Sequence, residues 1–323
     1  MDAPSPRVYY EHSSRPDEGV VMTTSQPRTT RPEGAPAWSP PLPEAPGFDH
    51  RVVETSGLRT HVATVGDGDP VVMLHGFPQH WWQWRDVAPA IAARGYRVLC
   101  PDLRGAGWTE ADDPRVDRET RLHDLLALLD ALEVERPHVV SHDMGAITAM
   151  QLTYEHPERV RTAVQLSVPP GFMRFSPRIL PGFRHLPPFV WHRPGASLRG
   201  VLAEPYVAHP MPEGDVDAHL APLRRPEVDA AVRPLTRGMI LPEGLRMMRG
   251  TYRRRRLTVP TLVVLGRRDR PWTEDVMGRV CPDPARYADR LAFAYVDDAA
   301  HFIADDAPAA VADLALDWFD RAA

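Results

Sequence analysis

The sequence predicts a doubly wound α/β domain, and three observations carry that prediction. Short apolar runs recur along the chain, bounded by Gly, Pro and Asp, as suits strands buried on both faces of a parallel sheet. Helix-like stretches sit between most of those runs, and that alternation builds parallel sheets covered on both sides. At 323 residues and 43% hydrophobic, the chain is long enough for one large domain with a substantial core.

The elements follow in order. "HRVVETS" and "LRTHVAT", separated by Gly57, read as an opening antiparallel hairpin. Six buried runs come next: "PVVMLHG" (70–76), "YRVLCPD" (96–102), "HVVSHD" (138–143), "RTAVQLS" (161–167), "TLVVLGRRD" (261–269) and "LAFAYVDD" (291–298). Together they make a mostly parallel sheet of eight strands. Helices are expected over Trp82–Ala93, Arg118–Leu132, Ala146–His156, Thr273–Asp289 and Pro308–Arg321. The alternation breaks over 169–256, which is rich in Pro, Arg, His and Met and has no convincing strand. That stretch is predicted to be a helical lid inserted after the sixth strand. It would cover the carboxyl ends of the strands, where open α/β sheets place their ligands. The core is then 47–168 with 257–323.

Residues 1–46 are dense in Pro and small polar residues, too poor in apolar surface to offset their ordering entropy, and predict a disordered leader. Met22 competes with Met1 as the natural start. A net charge of −5 points to neither nucleic acid nor an anionic membrane as partner. Every basic residue is Arg, and the run Arg253–Arg256 reads as a solvated stretch. There is no apolar run near the ~18 residues of a membrane span and no secretory h-region. Two isolated cysteines, Cys100 and Cys281, argue against a disulfide framework or zinc site. A cytoplasmic monomer or homodimer without metal or cofactor is the expectation.

"HVVSHDMGAI" (138–147) offers two nucleophiles, Ser141 and Asp143. A strand-to-helix elbow needs small residues two before and two after the nucleophile, because the two backbones pass closely there. Around Asp143 these are Ser141 and Gly145; around Ser141 they are Val139 and Asp143. The register favours Asp143. "HGFP" (75–78) can aim the Phe77 N–H at an oxyanion, with His75 supporting the turn, and the Met144 N–H at the helix start is the second donor. Asp269 ends the penultimate strand and His301 follows the last, giving the chain order nucleophile, acid, histidine. Asp297 and Asp298 read as turn residues.

With "HGFPQHWWQWR", "PDLRGAGWTE", "SHDMGA", "LVVLGRRD" and "HFIADDAP" in this order, the chain resembles the α/β-hydrolase fold, specifically its epoxide hydrolases. The resemblance covers about 46–168 and 257–323 well and the lid poorly. It implies that Asp143 is the nucleophile, Asp269 the charge-relay acid and His301 the base. A carboxylate is ionised at neutral pH and needs no base to attack. It would open an epoxide to an alkyl-enzyme ester, which water activated by His301 hydrolyses to a vicinal diol. Haloalkane and fluoroacetate dehalogenases are disfavoured, since Met144 and Phe77 replace the halide-binding residues and no arginine follows Asp143 closely. An ester or lactone hydrolase, and a binding protein with a relic triad, are the alternatives.

Epoxide hydrolases usually place two lid tyrosines on the ring oxygen, and here Met248 stands where the later one is expected. Tyr252, one helical turn on, is the leading substitute. Trp191 and Tyr206 are further donor candidates, and an indole donates without transferring a proton. Trp81, His75, His192, Tyr206 and Met248 complete the expected substrate-binding set, and a lid rich in Trp, Met, Phe and Pro suggests a bulky apolar or aromatic epoxide as the small-molecule substrate.

Overall fold

A computed structural model describes residues 9–12, 38–270 and 272–322. Its sheet contains β1 (Tyr9–His12), β2 (Asp49–Thr55), β3 (Leu58–Val65), β4 (Asp69–Leu74), β5 (Tyr96–Pro101), β6 (Glu110–Ala111), β7 (His138–His142), β8 (Thr162–Leu166), β9 (Thr261–Gly266) and β10 (Leu291–Val296). The order across the sheet is β1-β10-β9-β8-β7-β4-β5-β3-β2, with β6 pairing β3. The hairpin β2–β3 and the β3–β5 and β3–β6 pairs are antiparallel; the remaining pairs are parallel. The eight expected strands are all present, and the short β1 and β6 raise the total to ten among the described residues.

β7, β8 and β9 are buried along their whole length, which explains their unbroken apolar character. After β4 the chain moves to β5 on one side and returns to β7 on the other. That reversal opens a crevice at the carboxyl ends of β4 and β7, the usual ligand position in such sheets.

Helices α1 (Val87–Ala92), α2 (Arg118–Ala131) and α3 (Asp143–Glu155) precede the lid, which carries α4 (Leu186–Val190), α5 (Glu213–Leu220), α6 (Pro226–Leu235) and α7 (Leu241–Met248). α8 (Glu274–Val280), α9 (Ile303–Asp306) and α10 (Pro308–Ala322) complete the fold. One core layer packs Trp81, Trp84, Ile91, Trp318 and Phe319 against the sheet, and the opposite layer packs Leu129, Leu152, Phe172 and Val280. A third cluster joins lid residues Phe189, Val232 and Met239 to Phe77, Met144 and Phe302. The lid thus rests on the elbow itself.

Three sequence expectations need correction. Residues 38–46 are not a disordered leader: Trp38 meets His61 edge-on, and the indoles of Trp82 and Trp108 donate to the carbonyls of Glu44 and Pro40. The strand Tyr9–His12 lies in the same stretch; its other residues lie outside those described. The helix expected over Thr273–Asp289 ends at Val280, because Pro282 has no N–H to continue it. The helix expected over Trp82–Ala93 is split into a 3₁₀ turn, Trp81–Trp84, and α1.

Candidate active site

β7 ends at His142 and α3 begins at Asp143, whose φ of +47° puts it in the left-handed region. A non-glycine residue held there costs about 1–3 kcal/mol, and the surroundings must over-determine it. They do so with glycine. A Cβ on Gly145 would stand 2.3 Å from the Leu74 carbonyl oxygen, and one on Gly76 would stand 2.8 Å from the Cβ of Asp143. Ser141 lies buried inside β7, its hydroxyl donating to the Val164 carbonyl at 3.4 Å. Only the aspartate is presented.

The Phe77 N–H donates to Asp143 Oδ1 at 3.1 Å. Met144 follows at the first turn of α3, where N–H groups have no partner within the helix. His75 is buried and braces the turn: its Nε2 accepts from the Leu103 N–H at 2.9 Å while Nδ1 donates to the Gly76 carbonyl at 2.7 Å. Burial lowers its pKa to about 4, in keeping with a neutral ring that does both. Asp102, of "PDLRGAGW", accepts from the Trp81 and Trp108 amides and from His61, tying the next loop to the same turn.

His301 follows β10. Its Nε2 is 3.6 Å from Asp143 Oδ2, and its Nδ1 is 3.3 Å from Asp269 Oδ2. The backbone fixes the ring's position. The His301 N–H donates to the Tyr206 carbonyl at 3.0 Å, and the His301 carbonyl accepts from His142 Nε2 at 2.8 Å and Ser167 Oγ at 2.7 Å. Burial opposes the imidazolium, yet the hydrogen bonds it donates to the Asp143 and Asp269 carboxylates push the His301 pKa up to about 10. Burial likewise opposes the Asp143 carboxylate, and His301 with the Phe77 amide holds it well below the usual range. The resting pair is ionised. Asp297 and Asp298 pair with surface arginines 267 and 268, as turn residues would.

A cavity of about 320 Å³ opens on Asp143, Asp269 and His301. Its walls are almost wholly apolar, with Ile147, Met150, Ile179 and Trp272 among them. Met248 and Tyr206 line it, and Tyr206 also borders a smaller hollow beside Phe77 and Met144. Burial raises the Tyr206 pKa, so its phenol stays protonated.

The other expected lid and pocket residues stand elsewhere. Tyr252 is 2% exposed, packs on Tyr154, and donates its hydroxyl to Glu243. α7 stops at Met248 and Gly250 turns the chain with φ +71°, so Tyr252 does not continue Met248's helical face. Trp191 is 68% exposed and lines neither hollow. His192 is buried with Nε2 against Asp229 at 2.5 Å, inside the lid. Trp81 is a core residue, not a cavity wall. His75 braces the turn from behind and does not line the cavity.

Sequence reasoning gave no role to His142, Ser167, Glu243 or Asp306. The Asp306 carboxylate accepts from the Ala208, His209 and Ala300 amides, fastening the lid loop to the loop that carries His301. Among the described residues no cluster of three or more His, Cys, Asp or Glu is placed to hold a metal ion, and no helix is long and apolar enough to cross a membrane.

Residues 69–194 match the family described as alpha/beta hydrolase fold. Epoxide hydrolase 2 of Siraitia grosvenorii is 41% identical over 144 residues, 43% of this chain and 45% of the relative. Soluble epoxide hydrolase of Corynebacterium sp. (strain C12) is 35% identical over 125 residues, 39% of this chain and 43% of the relative. The matched stretch thus spans under half the length of these curated relatives. The solved structure of the epoxide hydrolase CorEH without ligand superposes with a TM-score of 0.73 at 24% identity, covering 85% of this chain and 99% of that one.

Proposed function

For this chain, which is similar to epoxide hydrolases of the alpha/beta hydrolase fold, we propose hydrolysis of an apolar epoxide to a vicinal diol through an ester on Asp143. One observation carries the reading: Asp143 Oδ1 rests on the Phe77 amide while Oδ2 lies 3.6 Å from His301 Nε2. One oxygen is seated in an oxyanion site and the other faces the base across the cavity.

In this reading Oδ2 attacks a ring carbon and the C–O bond breaks. Tyr206 gives its phenolic proton to the departing oxygen; it is the lid phenol that borders the cavity at both of the hollows touching Asp143. Ester formation removes the Asp143 charge, one of two carboxylates that hold the proton on His301. The imidazole pKa falls, the resting imidazolium releases its proton to solvent, and the neutral His301 ring can then take a proton from water. The hydroxide adds to the ester carbonyl, whose oxygen is held by the Phe77 and Met144 amides; losing one such donor typically costs about 3 kcal/mol. Collapse expels the second diol oxygen, which takes the proton from His301. The regenerated Asp143 acid passes its proton to His301, restoring the ionised resting pair, and through solvent Tyr206 regains the proton that His301 released.

A single turnover in heavy-oxygen water tests this. The first diol is expected to carry unlabelled oxygen from Asp143, and solvent label in that first diol would exclude the covalent route. His301→Gln is expected to accumulate the ester as a mass adduct. Tyr206→Phe is expected to slow ester formation by about 10²-fold or more while leaving ester hydrolysis unchanged.

A further inference from the structure

The cavity mouth has a chemistry of its own. Among the described residues, the exposed large hydrophobics are Phe175, Leu180, Trp191, Leu241, Leu245 and Met248, and all but Trp191 border the cavity. Two segments form this rim, the turn Pro177–His185 and α7. Leu241, Leu245 and Met248 fall at i, i+4 and i+7, so they make one outward stripe, while the fully buried residue of α7 is Glu243. That helix is inverted. An apolar patch left open around a groove marks a binding surface.

Charge chooses the partner. From Val168 to Ala203 the sequence has five arginines and no Asp or Glu; from Gly244 to Arg268 it has eight and again none. On other faces some exposed arginines meet carboxylates, as Arg59, Arg115, Arg161 and Arg279 do, and others, Arg51, Arg94, Arg224, Arg286 and Arg290 among them, make no ion pair among the described residues. At the rim Arg174, Arg178, Arg184 and Arg249 are exposed and make no ion pair among the described residues. Asp275 lies near enough to feel Arg178, but is itself held by Arg279. In a chain of net charge −5 the apolar opening is thus flanked by two stretches free of acidic residues whose exposed arginines are not neutralised.

We propose that this rim docks the enzyme on a lipid surface bearing anionic headgroups, with Leu180, Leu241, Leu245 and Met248 entering the interface and Arg178, Arg184 and Arg249 facing the phosphates. Apolar side chains encircled by cations are the chemistry of interfacial membrane attachment. An apolar epoxide concentrated in the bilayer then meets the cavity without crossing water. Overall charge had argued against a membrane partner because it averages over opposite faces; the segregation is local.

Sedimentation with lipid vesicles tests the proposal, and it reads binding, independent of the chemistry at Asp143. The full chain is expected to sediment with phosphatidylcholine vesicles containing phosphatidylglycerol, and far less with phosphatidylcholine alone or in high salt. Arg178→Gln with Arg249→Gln is expected to lower partition about 30-fold. Leu180→Ser with Leu245→Ser is expected to lower it about tenfold or more. Arg161→Gln, at the amino end of the strands, is expected to change nothing. Thermal unfolding midpoints of all variants verify folding. No sedimentation with the anionic vesicles, or an equal loss in Arg161→Gln, would overturn the proposal. So would self-association in analytical ultracentrifugation that Leu245→Ser abolishes, since the rim would then be covered by a second copy.

Discussion

α10 and α7 are both two-faced helices, and they face opposite ways. α10 sets Val311, Leu314, Ala315, Trp318 and Phe319 into the core and leaves Asp313 and Asp320 outside. α7 buries Glu243 and shows Leu241, Leu245 and Met248. The first is held by apolar burial. The second is held by charge: Glu243 accepts from Arg118 Nε at 3.1 Å and from the Tyr252 hydroxyl, and Arg118 reaches on to Glu155 at 2.9 Å. A helix anchored through a polar network keeps its apolar face available for a ligand or a surface.

Stability measurements sharpen this contrast, beginning with the largest effect. Phe319→Ala is expected to cost about 3–5 kcal/mol in denaturant unfolding, as a buried aromatic removed from a packed layer. Glu243→Gln is expected to cost about 2 kcal/mol, since it weakens the anchor while Arg118 keeps its other carboxylates. A neutral result there would mean that α7 is held by something else. Leu245→Ala, though it truncates a leucine, is expected to stay within about 0.5 kcal/mol. A loss resembling that of Phe319→Ala would show its side chain to be buried, and the inversion would fail. Trp191→Ser is expected to alter neither stability nor turnover measurably.

The Asp143–His301 pair responds to pH in a set direction. A His301 pKa raised to about 10 contributes stability that is complete below the unfolded value, about 6.5, and is lost as pH rises through 10. The unfolding midpoint of the wild type is therefore expected to fall between neutral pH and pH 10 more steeply than that of Asp143→Asn. In the same variant the His301 ring, followed by NMR, is expected to titrate at lower pH than in the wild type. Equal curves would show that Asp143 does not hold the proton.

The elbow was legible because its constraints are local. Ser141, Asp143 and Gly145 are spaced by the close passage of strand and helix, and the structure finds that passage at the Leu74 carbonyl. Asp269 and His301 followed from strand ends, which apolar runs mark well. Lid residues could not be assigned in that way. Tyr252 was assigned by extending a helix past Met248, and Gly250 ends that extension. Which side of α7 faces inward also reversed the usual rule, since a buried carboxylate needs Arg118, 125 positions away, to be tolerated. The register of an inverted helix lies in its partner, not in its own pattern.

The carbonyl of Tyr206 receives the amides of both His301 and Phe302, and Asp306 clasps the two residues that follow Val207. This edge of the roof and the His301 imidazole are in effect one mechanical part. Opening there would drag the imidazole out of line, which leaves the far side, between the turn at Pro177 and α7, as the face where the cavity can exchange its contents without disturbing His301.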